Sequence, residues 1–456
     1  MNASLQVLGA ADTVTGSRYL LTVGERRVLI DCGLFQGYKV LRERNWAPFP
    51  VPPSSIDAVV LTHAHLDHSG FLPALVRDGF AGRIHATAGT VDLVSLLLPD
   101  SGRLLEEEAE VHRRRGSARH HDPRALYTEA DAERALTSFS SHPFEVDVDL
   151  GDDCSVRFVP AGHIVGAAQL RLQVETHRLH FTGDLGRADD EIMRPPAPLE
   201  ATDLLVTEST YGDRKHPTSS PERELGDVVD RVCGRGGVVV IPAFAVGRAE
   251  ALVFHLSHLR ERGAIPDVPV YLNSPMAVEA SRIYENHLDE LRISAADVAA
   301  MNGMVHLVRT VDESIQLNSR RGPMVIISAS GMMTGGRVLH HVAQFGPDAR
   351  NAIVLSGYQA GGTRGAALAA GERSLRIFGR DIPINAEVVQ LESMSAHADA
   401  DGELAWLRTA PTPPRLTLVT HGEAHAADTL RARIQHELGW SVRVPGALDT
   451  IDLDAF

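Results

Sequence analysis

Short apolar runs, each ending in His, Asp, Glu or Gly, recur through the first half of the chain. Residues 5–8 and 18–30 read as strands, the latter a hairpin turning at Gly24-Glu25-Arg26 and ending in Asp31-Cys32-Gly33. Ala58-Val59-Val60-Leu61 reads as a buried strand feeding the loop Thr62-His63-Ala64-His65-Leu66-Asp67-His68-Ser69-Gly70. Val156–Val159 runs into Gly162-His163, Leu179–Thr182 into Gly183-Asp184, and Leu204–Val206 into Thr207-Glu208. Helices are predicted from Phe71 to a stop at Gly79, and over 101–115, where Glu110 precedes Arg113 and Arg114 by three and four residues and predicts helical ion pairs.

The pattern changes at Pro221. A helix over 221–233, a strand over 238–241, a helix over about 247–262, a strand over 268–272 and a helix over 275–289 alternate regularly, with further strands at 324–328 and 351–355. Such alternation predicts a mostly parallel sheet covered by helices, a second domain. The first theme then returns: Val388–Leu391 leads to Ser395-Ala396-His397, and Leu416–Val419 to Thr420-His421. The expected organisation is one domain built from 1–210 and 390–456, interrupted by an insert over 211–389. The insert has two glycine-rich strand exits, 330–337 and 356–365, where backbone N–H groups could approach a phosphate. Neither fits a P-loop or a dinucleotide fingerprint, and for any single glycine a plain tight turn suffices.

Composition narrows the class. With 456 residues, 44% apolar and 23% charged, the chain reads as a globular protein of two or three domains. No apolar run approaches the ~20 residues of a membrane span. The start has no signal-peptide pattern, and the three cysteines form no CxxC pair, so the expected location is cytoplasmic. The net charge of −15 argues against a broadly basic nucleic-acid coat, though not against nucleic acid held in a local groove.

The candidate chemistry is metal binding. His63 and His65 are two apart and can face the same way, and Asp67 and His68 can reach a second position nearby. Imidazole with carboxylate suits zinc best, with manganese or iron as alternatives. Asp184 can bridge two ions with its two oxygens, and Asp31 can sit behind the cluster and orient an imidazole. Arg113–Arg115 and Arg119 are weighed as phosphate contacts against a solvated helix face, which is the plainer reading.

His63-Ala64-His65-Leu66-Asp67-His68 with His163 and Asp184 resembles the metallo-β-lactamase fold. Glu208, His397 and His421 around an inserted alternating domain resemble its β-CASP branch, which includes the cleavage and polyadenylation factor endonuclease and ribonuclease J. Glu208–Arg214, Pro242–Arg248 and Ser356–Ala360 support the match, which covers nearly the whole chain. The resemblance implies an α/β architecture: an αββα sandwich with an inserted, mostly parallel β-CASP domain. It implies two zinc ions, with manganese as the substitute. His63, His65 and His163 would hold one, Asp67, His68 and His421 the other, and Asp184 would bridge them. Asp31 would support the metal loop. The implied activity is hydrolysis of single-stranded RNA by a bridging hydroxide, endonucleolytic, 5′→3′ exonucleolytic or both, leaving 5′-phosphate and 3′-hydroxyl. Asp67 would orient the nucleophile, and His397, paired with Glu208, would protonate the leaving oxygen. A homodimer is a candidate assembly that the sequence does not decide. Ser330, Gly331, Arg337, Thr363 and Arg364 are candidate phosphate contacts. Asn273 stands where the family often has Asp, and Arg364 and Ala366 also depart from its pattern; these lie in the insert and bear on substrate preference.

Three rivals remain at this stage. A small-ester hydrolase on the same fold is disfavoured by the insert and the Glu208/His397 pair. A DNA nuclease is disfavoured by His421, where that branch usually carries Val. A non-catalytic RNA-binding subunit would lack ligands, and all seven are present.

Overall fold

The computed structural model describes residues 3–115, 124–244 and 246–455. Arg119 and Ala245 therefore lie outside the described residues. The chain divides into two compact units, Met1–Lys215 with His397–Phe456, and His216–Ala396.

The first unit holds two seven-stranded sheets. In one, Thr450–Asp452, Ala3–Val7, Tyr19–Val23 and Arg26–Ile30 pair antiparallel; Ala58–Val60, Arg83–Thr87 and Phe139–His142 then add in parallel. In the other, Val442–Arg443, Leu416–Val419, Leu204–Thr207 and His177–Phe181 run parallel, followed by the antiparallel strands Ala168–Val174, Cys154–Pro160 and Asp147–Gly151. Alternation along these strands sends Leu5, Leu21, Val28 and Ile30 from one sheet, and Val156, Phe158, Leu170 and Phe181 from the other, into one buried core. Helices cover the outer faces; Leu404, Trp406, Leu407 and Leu430 bury against Leu205 and Val419. The layers are therefore helix, sheet, sheet, helix.

The helix expected over 101–115 begins earlier, at Ala88, and runs to Arg115 with Pro99 inside it. Proline removes one helical hydrogen bond and ordinarily breaks the run. Burial of Leu93, Val94 and Leu98 around it offsets that cost. Glu110 pairs with Arg113 as expected.

In the second unit, six strands form an all-parallel sheet in the order Val305–Leu307, Val270–Asn273, Met324–Ser328, Val238–Pro242, Ala352–Leu355, Glu387–Gln390. A separate antiparallel hairpin joins Ser374–Ile377 to Arg380–Pro383. The four central strands read as nearly continuous apolar runs because both faces are covered, while the edge strands Val305–Leu307 and Glu387–Gln390 are only partly buried.

Candidate metal centre

Every residue expected to build the metal centre lies in the first unit, at strand ends. Asp31 follows Arg26–Ile30, His63 to His68 follow Ala58–Val60, and His163 follows Cys154–Pro160. Asp184 follows His177–Phe181, Glu208 follows Leu204–Thr207, and His421 follows Leu416–Val419. His397 reaches the same place on a loop that bridges to Gly186. Two close backbone approaches shape the loops. A Cβ on Gly33 would lie 1.6 Å from the Asp67 carbonyl oxygen, and one on Gly186 would lie 1.9 Å from that of Gly162. Only glycine lets these loops pack so tightly.

His63, His65, His163 and Asp184 form one donor cluster, and Asp67, His68 and His421 a second. In the first, His63 Nε2 and His65 Nδ1 are 3.1 Å apart, and His163 Nε2 and His65 Nδ1 are 3.2 Å apart. Asp184 Oδ2 stands 3.4 Å from His63 Nε2 and 3.5 Å from His163 Nε2. A tetrahedron of zinc ligands at ~2.0–2.1 Å has edges of roughly 3.3–3.4 Å, so these separations suit one small divalent ion. In the second cluster, His68 Nε2 and His421 Nε2 are 3.1 Å apart, and Asp67 Oδ2 is 3.7 Å from His421 Nε2. Asp184 Oδ1 lies 3.1 Å from His68 Nε2. Each Asp184 oxygen thus faces a different cluster. The buried Asp184 Oδ1 has no hydrogen-bond partner, nor does His163 Nδ1. A buried carboxylate oxygen that only imidazole nitrogens face, without a well-aligned hydrogen bond, is costly unless a cation or proton meets it, so the donor set fits metal.

Buttresses fix the imidazoles. Asp31, buried and at φ +55°, accepts hydrogen bonds from the Thr62 amide and hydroxyl and lies 2.7 Å from His68 Nδ1. The Thr62 hydroxyl is also 3.1 Å from His63 Nδ1, and Thr210 Oγ1 is 3.2 Å from His421 Nδ1. With Nδ1 engaged, His63 and His68 present Nε2 to the centre. Thr62 and Thr210 have no role in the sequence reading, although both lie inside the stretches it singles out. Asp31→Asn is expected to weaken metal binding ~10–100-fold, because asparagine tolerates the left-handed backbone but offers one acceptor where Asp31 uses two. Competition with a chromophoric chelator measures this, and unchanged affinity would remove Asp31 from the centre.

Charge follows the same layout. Burial opposes ionisation of Asp184, but His421, His68, His63 and His397 outweigh it and hold its carboxyl well below the usual range. Burial also opposes a charge on His68, yet Asp184 and Asp31 hold its pKa well above the ordinary value. That preference for a proton marks where a cation would sit instead. Burial and His63 push His65 down to about 3, and burial and His397 push His163 well down, so both present neutral imidazoles.

His397 and Glu208 form a pair beside these clusters. His397 Nδ1 is 3.0 Å from Glu208 Oε1, which also accepts the Leu185 amide at 2.6 Å, while Oε2 accepts that of Thr210 at 3.2 Å. His397 Nε2 lies 4.0 Å from Asp184 Oδ2. Burial disfavours the imidazolium, but Glu208 and Asp184 overcome it and push the His397 pKa up to about 9.

The candidate phosphate contacts lie in the second unit, where several are engaged in holding loops. Arg337 donates to Asn273 Oδ1 and to the Val308 and Arg309 carbonyls, and Arg364 to the Arg376, Met333 and Thr334 carbonyls. Thr363 caps the helix Arg364–Ala369 through the Ala366 amide. The Ser330 hydroxyl accepts the Thr334 amide, and Gly331 packs against Phe244.

Comparison with known proteins matches this architecture along the chain. Residues 12–218 match the metallo-β-lactamase superfamily, 249–368 the β-CASP domain, and 381–445 the RNA specificity domain of zinc-dependent metallo-hydrolases. The chain is 38% identical to ribonuclease TTHA0252 of Thermus thermophilus over 91% of its own length and 92% of that protein. It is 31% identical to transcription termination factor FttA of Methanocaldococcus jannaschii, over 97% of its length and 70% of that protein. A crystal structure of a protein of unknown function from Enterococcus faecalis shares the fold, with a TM-score of 0.54 at 13% identity, covering 99% of this chain and all of that one. Among the described residues no helix is long and apolar enough to cross a membrane. The chain belongs to the β-CASP ribonuclease family of metallo-β-lactamase-fold, metal-dependent hydrolases.

Proposed function

We propose that the protein is a zinc ribonuclease that cleaves single-stranded RNA with two ions, leaving 5′-phosphate and 3′-hydroxyl ends. The observation that carries the reading is Asp184, whose two oxygens each face a separate donor cluster while His397 stands 4.0 Å away. His63, His65 and His163 would hold one ion, Asp67, His68 and His421 the other, with Asp184 between them. Bound there, zinc would make a water acidic at neutral pH and neutralise charge on the phosphate oxygens.

The chain's own groups supply the rest. Asp67 orients the attacking water; burial disfavours its charge, but His421 and His68 keep it ionised. As the oxygen of that water, which gives up one proton to bulk solvent, bonds to phosphorus in line, the bond to the 3′-oxygen breaks. His397 Nε2 gives its proton to that departing oxygen, and Glu208 steadies the imidazole through Nδ1. The relative named a ribonuclease supports RNA as the substrate.

The test is cleavage of 5′-labelled single-stranded RNA beside the matching DNA, with and without a chelator. The expected result is chelator-sensitive cleavage of RNA, with zinc restoring activity and 5′-phosphate on the downstream product. Cleavage of DNA at the same rate, or no cleavage by protein carrying about two zincs per chain, would overturn the reading.

A further inference from the structure

A nine-residue stretch beside the metal loop has no part in the mechanism above. Tyr38, Val40 and Trp46 are 54%, 63% and 59% exposed, three large apolar side chains left on the surface within nine residues. Lys39, Arg42 and Arg44 lie between them and are also exposed, in a chain whose net charge is −15. Glu43 is the only acidic residue in the stretch, and it pairs with Lys39 at 3.3 Å.

The stretch is anchored at its carboxyl end by Asn45, while its helix Lys39–Arg44 buries no residue. Asn45 clamps the Phe35 peptide from both sides, accepting its N–H at 2.9 Å and donating to its carbonyl at 2.8 Å. The buried Arg18 guanidinium donates to the Gly33 carbonyl and lies over the rings of Phe35, Phe49 and Phe71. The same backbone joins the metal loop directly, through Leu34 N–H to the Leu66 carbonyl at 2.8 Å and Cys32 N–H to that of His68 at 2.7 Å. Exposed aromatic rings beside an anchored backbone, interleaved with cations, have the chemistry of a stacking platform for unpaired bases.

We propose that Tyr38, Trp46, Arg42 and Lys39 form a secondary binding surface for single-stranded RNA, engaging nucleotides away from the scissile phosphate. The rings stack on bases and the cations meet phosphates. The local excess of positive charge on an acidic protein favours a polyanion over a second copy of this chain. The inference rests on the ribonuclease reading.

Trp46 provides the direct probe. The other two tryptophans, Trp406 and Trp440, are buried, so quenching of exposed tryptophan emission by RNA reports on Trp46. Zinc-loaded protein is titrated with single-stranded RNA oligomers of increasing length, and cleavage of each is followed. RNA should quench that emission, and Tyr38→Ala/Trp46→Ala should raise KM for long oligomers roughly 5- to 100-fold. It should leave kcat, metal content and the rate on a small chromogenic phosphodiester unchanged. Arg42→Gln should lower the salt dependence of log affinity by about 0.7. Wild-type KM in the double variant would overturn the platform while leaving the ribonuclease reading intact. So would an unchanged RNA affinity accompanied by a shift from dimer to monomer, which would make the patch an interface between copies. Failure of the wild-type protein to cleave any RNA would overturn both.

Discussion

His397→Ala is expected to lower kcat on RNA by about 10²–10⁴-fold, the range for loss of a general acid, while the protein keeps its metal. The geometry separates the two effects. His397 contacts Glu208 through Nδ1 and stands 4.0 Å from Asp184 through Nε2, whereas the two donor clusters close without it. Its proton is available at neutral pH because Glu208 and Asp184 favour the imidazolium against burial. A raised pKa means the acid form is present at low pH and lost as pH rises through it. The wild-type rate should therefore fall on the alkaline side, below about 9 once bound cations repel the proton, and the variant should lack that limb. The defect should shrink with a phosphodiester whose leaving group needs no proton, such as a nitrophenolate. Wild-type turnover on RNA in the variant would refute the assignment, and loss of metal would make His397 a ligand instead.

Asp184→Ala should be at least as damaging, by a different route. This carboxylate is 2% exposed and its oxygens reach His63 and His163 on one side and His68 on the other. Removing it leaves His63, His65 and His163 on one side and Asp67, His68 and His421 on the other with no shared anion between them. Two cations so close repel strongly without one. Elemental analysis of the purified variant should find less than one zinc per chain in place of about two, with turnover near background. Circular dichroism separates loss of metal from loss of fold. A folded variant carrying full zinc would exclude the bridging role.

Much of this was legible in the chain because its signals are local. His63 to His68 lie in six residues directly after an apolar strand, and His163, Asp184, Glu208 and His421 each follow another. Period and punctuation place such residues at the ends of strands, along one edge of a packed pair of sheets. The insert was legible for the same reason, since Val238–Pro242 and Met324–Ser328 are continuous apolar runs between helices. What escaped depends on contacts between distant segments. Thr62 and Thr210 matter because Asp31 and His421 are brought against them, which nothing in their own neighbourhood announces. The helix start at Ala88 escaped because Pro99 is a local stop that tertiary burial overrides. Arg337 and Arg364 look like free cations in a glycine-rich stretch, yet three-dimensional placement gives each of them several carbonyl partners.

The first unit is assembled from both sides of the insert, and this sets the order in which a growing chain acquires activity. By the time Glu208 leaves the ribosome, the loops bearing His63, His163 and Asp184 have already been made. Yet His397, the proposed proton donor, and His421, which completes the second donor cluster, still lie some two hundred residues ahead. At ~5–20 residues per second, that is a delay of roughly 10–40 s. During it the nascent chain carries most of a metal site but no complete catalytic centre. With the proposed roles, a nuclease built this way would stay inert beside the message that encodes it until most of its translation is finished.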